Sequence, residues 1–527
     1  MSEGGSLQGF SRLRVLFWPI HGHELKKLIP MLVIFSLLAF NYNVLRCLKD
    51  TLVITAEKSV GAAVIPFIKV WAMFPASILL TLLFLRLSSH VSREAVFYVI
   101  LSIFLIYFAS FALFIYPAKD LLYPHASADW LAAHLPVGWR GFVTMYRYWT
   151  LSTFYVMAEM WGPIVLSVLF WGFSNQITRV DEAKRFYGIF GIGINVATIF
   201  AGLVSIMITQ LATVGGRADP WTFSFNCLIA LVVVSGLGAI ALFRWLNKVA
   251  LKDPLLAPEE GVVKKKEKPK YSMRENLRFL TTAKYVLCIA AMIFSYNMVI
   301  NLVEVLWKQE IYEYLKETQA ANIPSAYNLF MNEITTMQGI LATFVAIFIS
   351  GNAIRKLGWT QTALITPILL LVTSVGFFGF FFLKGNSSLV TGLLGVTPLA
   401  LVVFFGSLQN VVSRTARYTL FDVTKEMAFI PLNRENKIKA KAAIDGVCNR
   451  FGKSGGSVIY NTFLIWITSI EGTVPFVAPI LFGIISVWMV AVKSLGKQFN
   501  DLTAPATPKA GEPIAVTPAG QPAAATL

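Results

Sequence analysis

Lys49, Glu159 and Lys453 each stand inside a long apolar run. An ionised side chain at bilayer depth costs at least about 2.5 to 3.5 kcal/mol unless it is paired or wetted, so each of these charges implies a use. Arg46 lies one helical turn before Lys49, and Asp50 follows it directly. Glu304 closes another apolar run just before Trp307 and Lys308, and Lys441 precedes Lys453 by twelve residues. At helical rise, Glu159 falls about 20 Å into a helix that begins near Arg147, and Lys453 about 18 Å beyond Lys441. Buried cations beside a few carboxylates suit a multiply charged, phosphorylated anion, which the lysines neutralise while the carboxylates discharge the empty site. Lys49 and Lys453 are the expected phosphate partners, with Glu159 and Glu304 pairing with them in the substrate's absence. The competing reading for each charge is an interhelical salt bridge or a side chain that snorkels to the headgroups, most open for Glu304, Asp50 and Lys441. Tyr42, Tyr296, Asn43, Asn297 and Asn301 offer rings and amides that could stack on and hydrogen-bond a base; ordinary helix packing explains them equally well.

Catalytic and metal chemistry find no comparable cluster. The histidines His21, His23, His90, His125 and His134 all fall in connections, and Cys47, Cys227, Cys288 and Cys448 fall in apolar runs without ligand spacing. The stretch Gly446-Val447-Cys448-Asn449-Arg450-Phe451-Gly452-Lys453-Ser454 approaches a phosphate loop but has five residues between its glycines where the motif takes four, and it follows no strand. Neither a cofactor nor a metal is expected.

The elements that must position these charges are membrane helices. With 56% hydrophobic and 14% charged residues and a mean hydropathy of +0.65, the chain of 527 residues holds more apolar surface than a soluble core could hide. Apolar runs of about 20 residues occur near 28–55, 63–87, 94–117, 146–176, 186–213, 221–245, 281–306, 333–354, 360–383, 393–413, 442–469 and 474–495. They are continuously apolar, which favours helices over barrel strands. The net charge of +17 sits mostly in alternate connections, at Arg86 and Arg93, at Arg179, Lys184 and Arg185, in the central segment, at Arg355 and Lys356, and at Arg434, Lys437 and Lys439. This is the positive-inside pattern, so nucleic acid is not an expected partner and both termini are expected in the cytoplasm. The intervening connections are balanced, as in Lys308, Glu310, Glu313, Lys316 and Glu317.

The runs form a duplication. Phe40, Tyr42, Asn43, Leu48 and Asp50 return as Phe294, Tyr296, Asn297, Leu302 and Glu304 at one offset of 254 residues (294 − 40). Phe170-Trp171-Gly172-Phe173-Ser174-Asn175-Gln176 matches Phe404-Phe405-Gly406-Ser407-Leu408-Gln409-Asn410 at an offset of 234 (404 − 170), which places an extra loop of about 20 residues in the first half, around Tyr116 to Arg147. Gly188, Gly191 and Gly193, and Gly452, Gly455 and Gly456, are small residues that let helices approach. The expected architecture is an all-α integral membrane protein with about twelve helices in two six-helix halves, major-facilitator-like. Its expected divisions are a cytoplasmic N-terminus (1–27), a first bundle (28–246), a basic cytoplasmic linker (247–280), a second bundle (281–497) and a disordered cytoplasmic tail (498–527).

The chain resembles the nucleotide transporter family of plastids and obligate intracellular bacteria, the ATP/ADP translocase type, over about Trp18 to Leu502. The resemblance lies in Trp18-Pro19-Ile20-His21, Lys49-Asp50-Thr51-Leu52-Val53-Ile54-Thr55, Ala158-Glu159-Met160-Trp161, Phe170 to Thr178, Asn301 to Lys308, Lys441-Ala442-Ala443-Ile444-Asp445 and Gly452-Lys453-Ser454-Gly455-Gly456. It implies exchange of cytosolic ADP, with phosphate, for host ATP in the best-known members and movement of several ribonucleotides by exchange or with protons in others, an expected bacterial inner-membrane location, and Lys49, Glu159, Glu304 and Lys453 as the essential charges. Cys47 and Leu48 stand where the family usually has Asp and Thr, which keeps a proton-coupled or broader ribonucleotide transporter open beside strict exchange. An integral-membrane enzyme is the remote alternative, opposed by the lack of a catalytic cluster. The expected partners are ATP and ADP, with phosphate or protons as further candidates, and the lipid bilayer; the expected state is a monomer.

Overall fold

The computed structural model describes residues 20–57, 60–249, 284–432, 436–437, 440–441, 444 and 449–503. The expectations for the extreme N-terminus, most of the linker and most of the tail lie outside the described residues. Among those described there is no strand, and twelve long helices follow the expected runs. The first half comprises α1 (Leu25–Ile54), α2 (Gly61–His90), α3 (Glu94–Ile115), α4 (Trp149–Ile177), α5 (Val180–Val214) and α6 (Pro220–Lys248). The second comprises α7 (Lys284–Glu317), α8 (Ile323–Phe348), α9 (Ser350–Phe382), α10 (Pro398–Ala428), α11 (Asn449–Ile467) and α12 (Val474–Thr503). Ten of these are long and apolar enough to cross a membrane. The other two, α8 and α11, are diluted by polar residues such as Asn328, Asn332, Thr335 and Gln338 of α8, which are buried against other helices.

The even-numbered helices α6, α8 and α10 start with a side-chain cap and a proline in the first turn. Asp219, Asn322 and Thr397 accept from the backbone N–H of Thr222, Ser325 and Ala400, and Pro220, Pro324 and Pro398 follow. These starts share the side opposite the beginning of α1, called the far side below; the side where α1 begins is the near side.

Two sequence expectations change. The segment 116–147 is not an open loop but a run of short helices, including His125–His134 and Arg140–Arg147, in which Arg147 is buried and pairs with Asp129 instead of opening α4. The charges from Lys308 to Glu317 are not a connection either, because α7 continues through them. Lys308 and Glu310 are buried there, and Glu310 is paired with Lys384 at 2.8 Å. Ion pairing at buried positions lets the helix run three turns past its apolar stretch.

The halves meet mainly along α5 and α8, and along the start of α2 against α7 and α11. Asn328 donates to Thr209 Oγ1 at 3.1 Å, the Ala62 backbone N–H to Gln309 Oε1 at 2.8 Å, and Asn461 to the Pro66 carbonyl at 3.2 Å. A methyl group on Gly202 of α5 would overlap Thr336 of α8. Gly188 occupies the same face of α5 as Asn195 and Gly202, at seven-residue spacing, yet a methyl group there meets nothing within 4 Å, and neither does one on Gly191. The two helices are therefore in contact toward the far side and diverge toward the near side, so the expectation of close packing fails at Gly188 and Gly191. It holds at Gly193, against Leu32, and at Gly452, Gly455 and Gly456, against Asn297, Met298 and Asn301 of α7.

Candidate functional site

At the seam, near the far-side closure, charged side chains from both halves form an alternating chain. Lys49 Nζ lies 2.8 Å from Asp50 Oδ1 and 3.2 Å from Glu159 Oε2; Lys308 Nζ lies 2.8 Å from Asp50 Oδ2 and 2.9 Å from Glu304 Oε1; Arg414 approaches the same Glu304 oxygen at 3.1 Å. The order Glu159, Lys49, Asp50, Lys308, Glu304, Arg414 thus runs from α4 through α1 and α7 to α10. Lys308 meets Asp50 Oδ2 off the line a hydrogen-bond donor would take, so this contact is an ion pair by proximity alone. Burial makes such pairs strong only while complete, since removing one partner of a buried pair costs about 3 to 5 kcal/mol.

The helices place these groups by register. Lys49 and Asp50 sit at the far end of α1, where Lys49 also lies over the Tyr155 ring of α4, 4.0 Å from its centroid. Glu304 and Lys308 are one turn apart on α7, the spacing that lets side chains on one helix face meet. Glu159 and Arg414 each shortly precede a π-helical stretch, Gly162–Phe170 in α4 and Arg417–Phe421 in α10. Such wide turns re-aim side chains and recur at functional sites. Exposure differs along the chain: Asp50 and Lys308 are sealed, while the Glu159 side chain is 33% exposed and those of Glu304 and Arg414 are 17% and 18% exposed.

The other residues singled out in the sequence take distinct places. Arg46 joins the seam by reaching α8, donating to Thr335 Oγ1 at 3.0 Å and to Gln338 Oε1 at 3.4 Å. Cys47 is buried beside the same Thr335, with Sγ 3.5 Å from its Oγ1. Asn43 and Asn297 make corresponding bonds, each amide donating to the carbonyl four residues earlier, Ala39 at 2.9 Å and Ile293 at 2.8 Å, so the repeat holds at the level of single hydrogen bonds. Asn301 accepts from Lys69 of α2 at 3.4 Å. Tyr42 keeps a partly exposed ring. Tyr296 is buried instead, stacked on Phe421 at 4.4 Å, with its hydroxyl donating to the Ser413 carbonyl. Stacked on Phe421, crossed by Trp488 and only 1% exposed, the ring leaves no room for a base against it.

Lys441 stands apart, paired with Glu426 at the near end of α10. Glu426 lies twelve residues beyond Arg414, about 18 Å away along the helix. The backbone of Lys453 belongs to α11, in the turn whose Gly452 faces Asn297, about 10 Å nearer the near side than Glu304; its side chain lies outside the described residues. Three cations escaped the sequence reading: Lys308, Arg414 and Lys69. The first two lie past the ends of apolar runs, but Lys69 stands well inside the run 63–87, whose other cation, Arg86, is at its end, and carried the same signal as Lys49.

A cluster of this kind, built from two halves and exposed at its Glu159 end, suits a membrane carrier of anions. The comparisons narrow the choice. The model of the TLC ATP/ADP transporter family matches residues 5–499. The chain is 44% identical over 491 residues to "ADP,ATP carrier protein 1" of Chlamydia trachomatis, covering 93% of this chain and 92% of that one. It is 42% identical to "ADP,ATP carrier protein 2, chloroplastic" of Arabidopsis thaliana, covering 91% and 75%, and 38% identical to "ADP,ATP carrier protein 1" of Rickettsia bellii, covering 95% and 99%. In fold it is similar to a bacterial homologue of the iron transporter ferroportin in its inward-facing state, with a TM-score of 0.50 at 14% identity, covering 94% of this chain and all of that one. A match over nearly the whole length, together with relatives well above 30% identity, shows that the chain belongs to the TLC ATP/ADP transporter family.

Proposed function

We propose that this membrane transporter exchanges ATP for ADP by alternating access, with the phosphate chain bound at the ion-paired seam. The observation that carries this reading is the alternating chain itself: cations of both halves are held by carboxylates that a polyphosphate can replace. Relatives named ADP,ATP carrier supply the substrate pair. Because the closure at the far side is cemented by Asp50, Lys308 and Glu304, a substrate that competes for these groups loosens it, and rocking of the halves then exposes the site to the other side. Exchange follows if only the loaded, charge-neutralised site reorients. Lys453, whose backbone lies about two helical turns nearer the near side than Glu304, remains the second expected phosphate partner.

The charge pattern of the connections supports a bacterial inner-membrane location with both termini in the cytoplasm, so that the near side faces the cytoplasm. The same pattern supports the division into bundles 28–246 and 281–497 joined by the basic linker 247–280. A site assembled from α1, α4, α7 and α10 of one chain is consistent with a working monomer.

Uptake of labelled ATP into liposomes containing the protein tests the reading. Uptake that requires internal ADP and ignores an uncoupler fits exchange. Uptake into empty liposomes that an uncoupler abolishes would replace exchange by proton coupling, and internal phosphate added with ADP reports whether it travels too.

A further inference from the structure

The cations of the alternating chain are already engaged. Lys49, Lys308 and Arg414 each touch at least one carboxylate, so a phosphate that takes one of them must first break an ion pair. Lys69 differs. It lies in the π-helical stretch Ile68–Met73 of α2, is half-buried, and its hydrogen-bond partner is the neutral Asn301 Oδ1 of α7, at the long distance of 3.4 Å. Among the described residues no carboxylate lies within 4.0 Å of its ammonium, although it interacts electrostatically with Glu304 and Glu159 on one sign and with Lys308 and Lys49 on the other. It thus feels the charges of the cluster without being consumed by an ion pair.

We propose that Lys69 is a substrate-binding residue that receives an oxygen of the nucleotide's phosphate chain. The inference rests on the proposed nucleotide exchange and adds to it a ligand from α2. Two physical arguments support it. Exchanging a long contact with a neutral amide oxygen for a charge-assisted contact with phosphate sacrifices no ion pair, so Lys69 costs the incoming anion less to engage than Lys49, Lys308 or Arg414 does. The Lys69–Asn301 contact also spans the two halves, so phosphate binding withdraws one cross-half bond at the moment the substrate arrives, coupling occupancy to opening. The wide π-helical turn lies where the buried start of α2 gives way to its exposed remainder, and turns the lysine into the seam.

The test is the initial rate of labelled ATP uptake into ADP-loaded liposomes over a range of ATP concentrations. Lys69→Gln is expected to raise KM about tenfold or more, a loss of about 1.4 kcal/mol, with kcat changed less, and Lys69→Arg to recover most of the affinity. Lys69→His provides an independent readout, because its ring is charged at pH 6 and neutral at pH 8: its KM is expected to rise over that interval relative to the unmodified protein. A KM within twofold of the unmodified protein in Lys69→Gln, a fall in kcat alone, or a Lys69→His KM that tracks the unmodified protein would overturn the assignment while leaving exchange intact. An unmodified protein that takes up no ATP against ADP would overturn the exchange reading and this inference with it.

Discussion

Asp50 and Glu304, corresponding residues of the two copies of the repeat, hold one ammonium between them: Lys308 Nζ is 2.8 Å from the first and 2.9 Å from the second. A duplicated bundle has here placed a carboxylate from each half on a single cation that only the second half supplies. The arrangement makes the seam a balance of charges, in which closure persists only while Lys308 satisfies both sides.

Lys308→Gln leaves two carboxylates facing each other in a buried site. Loss of one partner of a buried pair costs about 3 to 5 kcal/mol, so the variant is expected to unfold at lower temperature in detergent and to exchange nucleotide slowly. Combining it with Asp50→Asn removes one of the two facing carboxylates, while Lys49 keeps Glu159 as its partner. The double variant is expected to be more stable than Lys308→Gln alone, a coupling that a thermal-unfolding cycle over the four proteins reads directly. Additive losses would refute the pairing.

Glu159 is the exposed end of the chain and, on the proposed reading, the group with which phosphate competes for Lys49. Glu159→Gln removes that competitor, and the expected result is a lower Kd for ATP in detergent together with slower exchange, because a more tightly held nucleotide leaves more slowly. Binding and exchange rates measured on one preparation separate these effects. Weaker binding would show that Glu159 contacts the substrate instead of masking Lys49.

The fold was legible because lipid imposes its own grammar: a helix needs about 20 apolar residues, and the duplicated Tyr42-Asn43 and Tyr296-Asn297 steps revealed the halves. The site was half legible. Lys49, Asp50, Glu159 and Glu304 declared themselves as charges in apolar surroundings, and each lies in the cluster. Lys308 and Arg414 did not, since hydropathy ends where a buried ion pair begins, and a helix extended by paired charges resembles a connection in sequence. Tyr296 shows the converse limit: its ring has the chemistry to stack on a base, but whether Phe421 covers it is a matter of packing that no local pattern encodes.

The near-side divergence of α5 and α8 depends on glycine at their far-side crossing. Gly202→Leu would drive a side chain into Thr336 and the Asn332 carbonyl, whereas Gly188→Ala enters open space. Overpacking costs about 1 to 3 kcal/mol, and because this crossing must close when the far side is shut, Gly202→Leu is expected to cut exchange at least tenfold. Gly188→Ala is expected to exchange like the unmodified protein. Equal activity of the two variants would contradict the closed crossing.

Closure at the far side also predicts a reversible block. Ala62 and Gln309 belong to different halves and touch through the hydrogen bond from the Ala62 N–H to the Gln309 side chain, and Gly61, at φ 62°, brings the α2 backbone against that same side chain. Alternating access requires these residues to separate once per cycle. In a background with Cys47, Cys227, Cys288 and Cys448 replaced, cysteines at 62 and 309 joined by a short bifunctional reagent carrying a reducible link are expected to abolish exchange, and reduction to restore it. Either single cysteine treated alike should retain activity. Exchange that survives quantitative cross-linking would mean that the halves never part at this point, and that the cluster behind it is a structural rivet.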